Sequence, residues 1–403
     1  KALEADSLRP SWYPSTIHRL LRLKLKRRGN LEICEETEQT KNSLENLNFV
    51  LIDEASMVDI SLLEILLKCA ALFKTRLVFV GDPAQLPPVG ENESSVFSMK
   101  RAVNSQLNEV VRHYGPVLKL ASLIREGVIP CTSPPCLPTI KTSQGIVTCC
   151  RKDIWLQEAS TALKLSFENG NPDDARILCY TNRVLESLVP YARRAIHGDM
   201  ASQYPVLPGE VLISRKAVTA EASIDDRHSG EDPEMLISSN REIVVLDVKP
   251  DKFNFSECGL VGLDDFAIEI LIANVRCDER VFSLRLLPPI GTESRRMLDL
   301  NLKKLSLNAS NSEKKEGKML WRSYFLLRDA FASLGPASVL TVHRSQGSTF
   351  ANVFIASDVF SPKNIGFRRQ LAYVAISRAS NGVWLVSSGK NNVENQIWED
   401  QLN

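Results

Sequence analysis

No charge of one sign dominates this chain of 403 residues: 49 lysines and arginines stand against 48 acids. There is therefore no global field to advertise a polyanion partner, and any nucleic-acid surface must be a local patch. No run of about 18 apolar residues occurs, which excludes a membrane-spanning helix. The opening residues do not read as a charged-then-apolar leader. Histidines are scarce, five in all, and the nine cysteines include no CxxC pair. Cys149 and Cys150 are adjacent, and a proline-rich stretch separates Cys131 from Cys136, so neither pair has zinc-knuckle spacing. Reduced, buried thiols in a cytosolic protein are the simpler reading. Internal repeats and low-complexity tracts are also missing. What remains is an ordinary soluble composition, 44% apolar and 24% charged, long enough for two or three domains with a full-sized core.

Two apolar bursts, FVLIDEAS from Phe49 and RLVFVGDPAQLPPVG from Arg76, flank a helical pattern through Ile60, Leu63, Leu66, Leu67 and Ala70. Short apolar strands alternating with an amphipathic helix predict a parallel α/β sheet. Ligands in such sheets sit at the carboxyl ends of strands, here Asp53–Glu54 and Gly81–Asp82. A second alternation begins with RILCYTN near Ala175 and resumes with SVLTVHRSQG from Ser338, NVFIA and VWLVSS. Between Pro205 and Gly335 four strand-like runs (GEVLISRK, REIVVLDVK, FAIEILIANV and VFSLRLLPP) lack intervening helices and predict a small inserted antiparallel barrel. Residues 220–234 read as a mobile acidic loop, and Ser294 to Leu334 returns to charged helical patterning. The domains expected are residues 1–105, then 106–204 with 336–403, and an insertion at 205–335. Near the start, LRLKLKRR, Gly29–Asn30 and LEICEE alternate about a turn dipeptide and predict a hairpin within 22–38. Cross-strand charge pairing on a solvated hairpin explains its basic and acidic arms, and so does a basic finger against nucleic acid.

Several residues have the chemistry of a nucleotide site. An apolar strand ending in two acids can hold a magnesium ion through Asp53 and orient or deprotonate water through Glu54. Gln85, stiffened by Pro87 and Pro88, carries an amide able to bond a terminal phosphate and an attacking water. Arg112 and Arg378 can neutralise charge growing on a phosphoryl group. Taken singly, each has a plainer reading: a common acid pair, a solvated amide, surface ion-pair formers. Thr341, His343 and Ser345 alternate and would share one face of a strand, suiting phosphate-oxygen contacts. An ordinary buried histidine is the other reading of His343. Gln346–Gly347 follows and could approach a nucleotide. Thr16, His18 and Arg19 open a stretch to Leu31 with six lysines and arginines and no acid, a local field or a solvated face.

Taken in order, these segments resemble the motifs of superfamily-1 helicases of the RecD/Dda-like branch. STIHRLL is similar to the early DNA-contacting motif, VLIDEASMVD to motif II and GDPAQLPPVG to motif III. LNEVVRH, TVHRSQGSTFANVFIA and LAYVAISRAS are similar to motifs IV, V and VI. The resemblance runs from Lys1 to about Val386. It implies an α/β fold of two RecA-like parallel-sheet domains with an inserted SH3-like β-barrel. It also implies an ATP-driven motor moving 5′ to 3′ on single-stranded DNA and unwinding duplexes. On that resemblance Asp53 holds Mg²⁺, Glu54 is the catalytic base, Gln85 senses phosphate, and Arg112 and Arg378 are arginine fingers. Gly347 lies against the ATP, and Thr16, His18, Asn182, Thr341 and His343 hold the DNA. The hairpin becomes a strand-splitting pin. Implied partners are single-stranded DNA, single-strand/duplex junctions and a candidate single-strand-binding protein, in the cytoplasm of a bacterial or phage-infected cell, with no role for a membrane.

The chain departs from the family in three ways. Arg344 stands where many relatives carry lysine, and the hairpin turn offers no aromatic tip. No GxxxxGK followed by Ser or Thr exists anywhere in the chain. KALEA resembles the end of a motif Ia, so the expectation is that the phosphate loop lies upstream of Lys1 and that these residues alone do not bind ATP normally. Two other readings stay open: a catalytically dead nucleic-acid-binding module and an RNA helicase of the same superfamily.

Overall fold

The computed structural model describes residues 15–28, 31–88, 90–100, 102–107, 114–224, 235–255, 259–264, 266–389 and 392–400. These divide into two compact units: the chain up to Asn104 without 84–86, and residues 84–86 with everything from Ser105 onward. Both are mixed α/β. Among the described residues no helix is long and apolar enough to cross a membrane.

In the first unit the strand Phe49–Ile52 runs parallel to Arg76–Phe79, with Phe49 opposite Arg76 and Ile52 opposite Phe79. The helix Ile60–Phe73 connects them. It starts where the Asp59 carboxylate accepts the Leu62 N–H at 2.9 Å and stops at Lys74 in the left-handed region. Its apolar face (Leu62, Leu63, Leu66, Cys69 and Ala70) joins Val50 and Ile52 in one core. The alternate side chains, Phe49 and Leu51, are each 53% exposed, so one sheet face is covered and the other open. The strands Lys24–Arg28 and Leu31–Glu35 form an antiparallel ladder with Arg28 opposite Leu31. This is the hairpin expected from the alternation; its Gly29–Asn30 turn lies outside the described residues.

The second unit is built on a six-stranded sheet. Its order is Val339–Thr341, Ala175–Cys179, Phe350–Ile355, Ala379–Val386, Gly145–Cys150 and Ile140–Thr142. The first five are parallel, and Ile140–Thr142 is an antiparallel edge. One face packs on the helices Gly115–Arg125 and Ile365–Ile376, the other on Lys152–Glu168 and Asn182–His197. Because both faces are covered, every residue of Ala175–Cys179 is buried, which explains its unbroken apolar run.

Within this unit an antiparallel five-stranded sheet is inserted, ordered Arg280–Leu286, Ala267–Cys277, Glu242–Asn254, Val211–Ser214 and Leu334–Pro336. The Ala332 N–H donates to the Arg285 carbonyl at 2.7 Å and the Leu287 N–H to the Ala332 carbonyl at 3.1 Å. A parallel bridge between Leu286 and Ala332 thus returns the first strand to the segment entering the last. The helices Glu293–Asn311 and Lys314–Asp329 pack on this sheet through Leu298, Leu305, Leu320 and Leu327.

Two expectations need correction. The strand expected to carry Thr341, His343 and Ser345 on one face ends at Thr341, and residues 342–347 form turns. Ser345 is fully buried, its hydroxyl donating to the Val342 carbonyl at 2.8 Å, so the shared face does not exist. The acidic stretch from Ala220 is not wholly a loop either. Ala220–Ala222 form a 3-10 turn with both alanines buried, and Val218–Thr219 pairs with Met235–Ile237. The remainder, residues 225–234, lies outside the described residues.

Candidate functional site

In the first unit the acid pair leaves the end of Phe49–Ile52. The Val80 N–H donates to the Ile52 carbonyl at 2.8 Å and the Ala55 N–H to the Val80 carbonyl at 2.9 Å, so the pairing continues past both strands. Between these anchors Glu54 takes φ 51° and ψ 44°, left-handed for a residue with a side chain. That conformation costs about 1–2 kcal/mol and persists only where surrounding contacts impose it. Those contacts are visible. The Glu54 N–H donates to an Asp53 carboxylate oxygen at 2.8 Å, and the buried Ser94 hydroxyl lies 3.1 and 2.8 Å from the Ala55 and Val58 carbonyls. A Cβ on Gly81 would stand 3.0 Å from the Ala55 nitrogen, so glycine lets the second strand exit against this turn. Asp53 is exposed and Glu54 half-buried, leaving both carboxylates accessible.

Thr16 caps the four-residue helix Ile17–Leu20 by accepting the Arg19 N–H at 3.3 Å, and both Thr16 and His18 are exposed. Arg112 lies outside the described residues. Gln85 belongs with residues 84–86 to the second unit, where Leu86 is in the core. Its amide oxygen is buried with no hydrogen-bond partner among the described residues. Such an orphan acceptor is expected where a ligand or water completes the site.

The second unit gathers several candidates at the carboxyl ends of two neighbouring strands. Thr341 pairs with Cys179, so the chain beyond each strand emerges at the same sheet edge. Asn182 is exposed in the first turn of Asn182–His197, whose cap is Thr181. His343 is half-buried, its ring 6.1 Å from Tyr180 and 6.3 Å from Phe367. Burial lowers the His343 pKa below 6.5, so at neutral pH it offers an uncharged donor and acceptor. Thr341 is itself buried. Arg344 donates to the Arg215 carbonyl at 3.3 Å; burial first, and the Arg215 charge second, lower its pKa. Arg215 in turn pairs with Glu186 at 2.7 Å on the helix that begins at Asn182.

Gly347 has φ +77° and Gln346 presents a buried amide nitrogen without a partner among the described residues. Arg378 is almost completely buried. Its guanidinium donates to the Val374 carbonyl at 3.2 Å, the Ser348 carbonyl at 3.3 Å and the Ser377 hydroxyl at 3.1 Å. It therefore ties the Gly347–Ser348 turn to the end of Ile365–Ile376. A cleft of about 1250 Å³ between Asn182–His197 and the inserted sheet is lined by Glu186, Arg215, Phe266 and Ile290, and by none of the candidate residues.

One functional group was not foreseen. The Asp358 carboxylate accepts the Tyr180 N–H at 3.1 Å, the Thr181 N–H at 2.9 Å and the Thr181 hydroxyl at 3.0 Å. It fixes the turn that presents Asn182 and places Tyr180 beside His343. No local pattern marks it, since its partners are 177 and 178 residues away in sequence.

Two stretches of the chain match known domain families. An AAA domain model matches residues 5–132, and a UvrD-like helicase C-terminal domain model matches residues 336–386. The chain is 22% identical over 380 residues to the ATP-dependent DNA helicase dda of Enterobacteria phage T4, covering 92% of this chain and 82% of that protein. It is 39% identical over 87 residues to uncharacterized protein R530 of Acanthamoeba polyphaga mimivirus, covering 21% and 17% respectively. Among solved structures it is similar to a Pif1 helicase from Candida albicans (TM-score 0.43, 17% identity, 91% of this chain and 78% of that one). A Pif1 helicase from Bacteroides in complex with ADP-AlF3 and ssDNA gives a TM-score of 0.44 at 16% identity, with the same coverage. The AAA domain match spans the acid pair Asp53–Glu54, and the UvrD-like helicase C-terminal match spans Thr341, His343, Gly347 and Arg378.

Proposed function

We propose that this chain is the motor of a DNA helicase that moves 5′ to 3′ along single-stranded DNA, with ATP hydrolysis as the driving reaction. The observation that carries the reading is the acid pair at the end of Phe49–Ile52, with Glu54 held in a left-handed turn that leaves both carboxylates accessible. Asp53 offers one accessible carboxylate, and no group of three or more potential metal ligands exists among the described residues. This suits Mg²⁺, which is commonly held by one or two carboxylates, waters and substrate phosphates. Bound there with ATP, the ion would neutralise phosphate charge. Glu54 takes the proton of the attacking water, and Gln85, whose amide oxygen has no partner among the described residues, is the phosphate sensor.

Arg378 and Arg112 are the charge stabilisers. To serve as a finger, Arg378 trades carbonyl partners for a phosphate, which couples the nucleotide to the Gly347 turn. Asn182, Thr341 and His343, with Thr16 and His18, hold the sugar–phosphate backbone. The hairpin Lys24–Arg28/Leu31–Glu35 is the strand-splitting pin and the inserted sheet the SH3-like domain. A single-strand-binding protein is a candidate partner.

The missing GxxxxGK motif favours a second reading, a strand-binding module without turnover. Single-strand binding and DNA-stimulated phosphate release, measured on the chain and on Glu54→Gln, separate the cases. Both proteins should bind single-stranded DNA, and whatever stimulated turnover the chain supports should fall by about 10²-fold or more in the variant. Undiminished turnover in Glu54→Gln removes Glu54 as the base. Binding with no turnover in either protein favours the module, tighter binding to RNA than DNA favours the RNA helicase, and no strand binding ends the motor reading.

A further inference from the structure

The segment from Glu293 to Asp329 carries nine basic residues against five acids in a chain whose overall charge is only +1. It folds as two packed helices, Glu293–Asn311 and Lys314–Asp329. Three of its cations are consumed locally: Arg295 pairs with Asp299 at 3.0 Å, Lys304 with Asp264 at 3.1 Å, and Arg328 with Asp329 at 2.6 Å. Arg296, Lys303, Lys314, Lys315, Lys318 and Arg322 are exposed and make no ion pair among the described residues.

Lys315, Lys318 and Arg322 follow one another at spacings of three and four, so they line one face of the second helix over about 10 Å. The opposite face (Gly317, Leu320, Ser323 and Leu327) is buried. A Cβ on Gly317 would lie 2.8 Å from the Ala309 carbonyl oxygen, so the two helices meet closely there. The cationic face is thus mounted on a rigid base with its own apolar core.

We infer that this face binds the sugar–phosphate backbone of duplex DNA. The inference rests on the DNA-motor reading above and adds a contact that the motor motifs do not supply. Charge complementarity selects a polyanion, and the aromatic residues select between its forms. Surfaces that grip single strands commonly add exposed rings on which bases stack. Here Trp321 and Tyr324 are half-buried and packed edge-on, with ring centroids 5.3 Å apart. The exposed members of the face are cations and Met319, which meet phosphates and read no base.

The test uses the full chain and its Lys315→Gln/Lys318→Gln/Arg322→Gln variant, glutamine keeping the helix propensity while removing charge. Affinities for a blunt duplex of about 20 base pairs and for one of its strands are measured by fluorescence anisotropy across about 0.05–0.3 M KCl. Losing three phosphate contacts should lower the duplex salt slope by about 2–3 and duplex affinity about tenfold or more, with single-strand affinity within about twofold. A Lys315→Arg/Lys318→Arg variant should retain duplex binding, which separates charge from folding. An unchanged duplex slope overturns the inference. So does an equal fall on strand and duplex, which would mark a general field effect. Failure of the unmodified chain to bind the single strand would instead overturn the motor reading.

Discussion

The two parallel sheets of this molecule are built from similar strands and end up in different states. Phe354, in the six-stranded sheet, is buried with its ring stacked 4.7 Å from Trp384 and edge-on 6.3 Å from Trp155. Leu51, in the first unit, occupies an equally apolar strand yet stands 53% exposed. The difference is coverage: helices lie on both faces of the larger sheet, while Ile60–Phe73 covers one face of the smaller. An apolar run therefore marks a strand able to be buried on both sides, and its neighbours decide whether it is. The acids at Asp53–Glu54 belong to the half-covered sheet, and the aromatic and Asn182 cluster to the fully covered one.

The largest test of this contrast is a pair of truncations. Phe354→Ala should destabilise the second unit by about 3–5 kcal/mol. Leu51→Ala should change the first by no more than about 1 kcal/mol, because little buried area is lost. Urea unfolding read by tryptophan emission in a Trp12→Phe background follows the second unit, which contains Trp155, Trp321, Trp384 and Trp398. Hydrogen exchange of Phe49–Ile52 follows the first. Equal losses would mean that the open face of the small sheet is covered in solution.

Next comes Asp358→Ala, which leaves the Tyr180 and Thr181 donors without their acceptor and should cost about 1–3 kcal/mol. Asp358→Asn, keeping an oxygen, should recover part of the stability. If alanine and asparagine behave alike, the carboxylate is not what fixes the Asn182 turn.

A smaller effect is pH-dependent. Burial holds the His343 and His197 pKa values below 6.5, so the unfolded chain takes up protons first as the solution is acidified. Their contribution to stability is present in full above pH 6.5 and is lost as the pH falls below it, until the folded imidazoles also protonate. The urea midpoint should drop between about pH 7.5 and 5.5, and His343→Gln should flatten that drop. An unaltered slope in His343→Gln would place the titration elsewhere.

Much of the fold was legible because periodicity survives in the sequence. FVLI, RLVF, RILC and NVFI are strands, and Ile60–Phe73 is the helix between the first two. The motif that reads worst is TVHRSQG. Its alternation is genuine, but backbone pairing with Ala175–Cys179 stops at Thr341, and the chain turns where Ser345 finds the Val342 carbonyl. Alternation reports the capacity to form a strand, whereas pairing requires a partner still within reach. The partners of Arg378, the carbonyls of Val374 and Ser348, likewise come from packing that its residue type does not announce.

The amino-acid sequence alone determined the strand-end acids and the order of the motifs, because these depend on residue type and local spacing. Tertiary structure decided the left-handed strain at Glu54, the clamp of Asp358 on Tyr180 and Thr181, and the outward display of Lys315, Lys318 and Arg322. Each of these depends on groups distant in sequence or on which face a core leaves uncovered. Local propensity carries no information about either until the chain has packed.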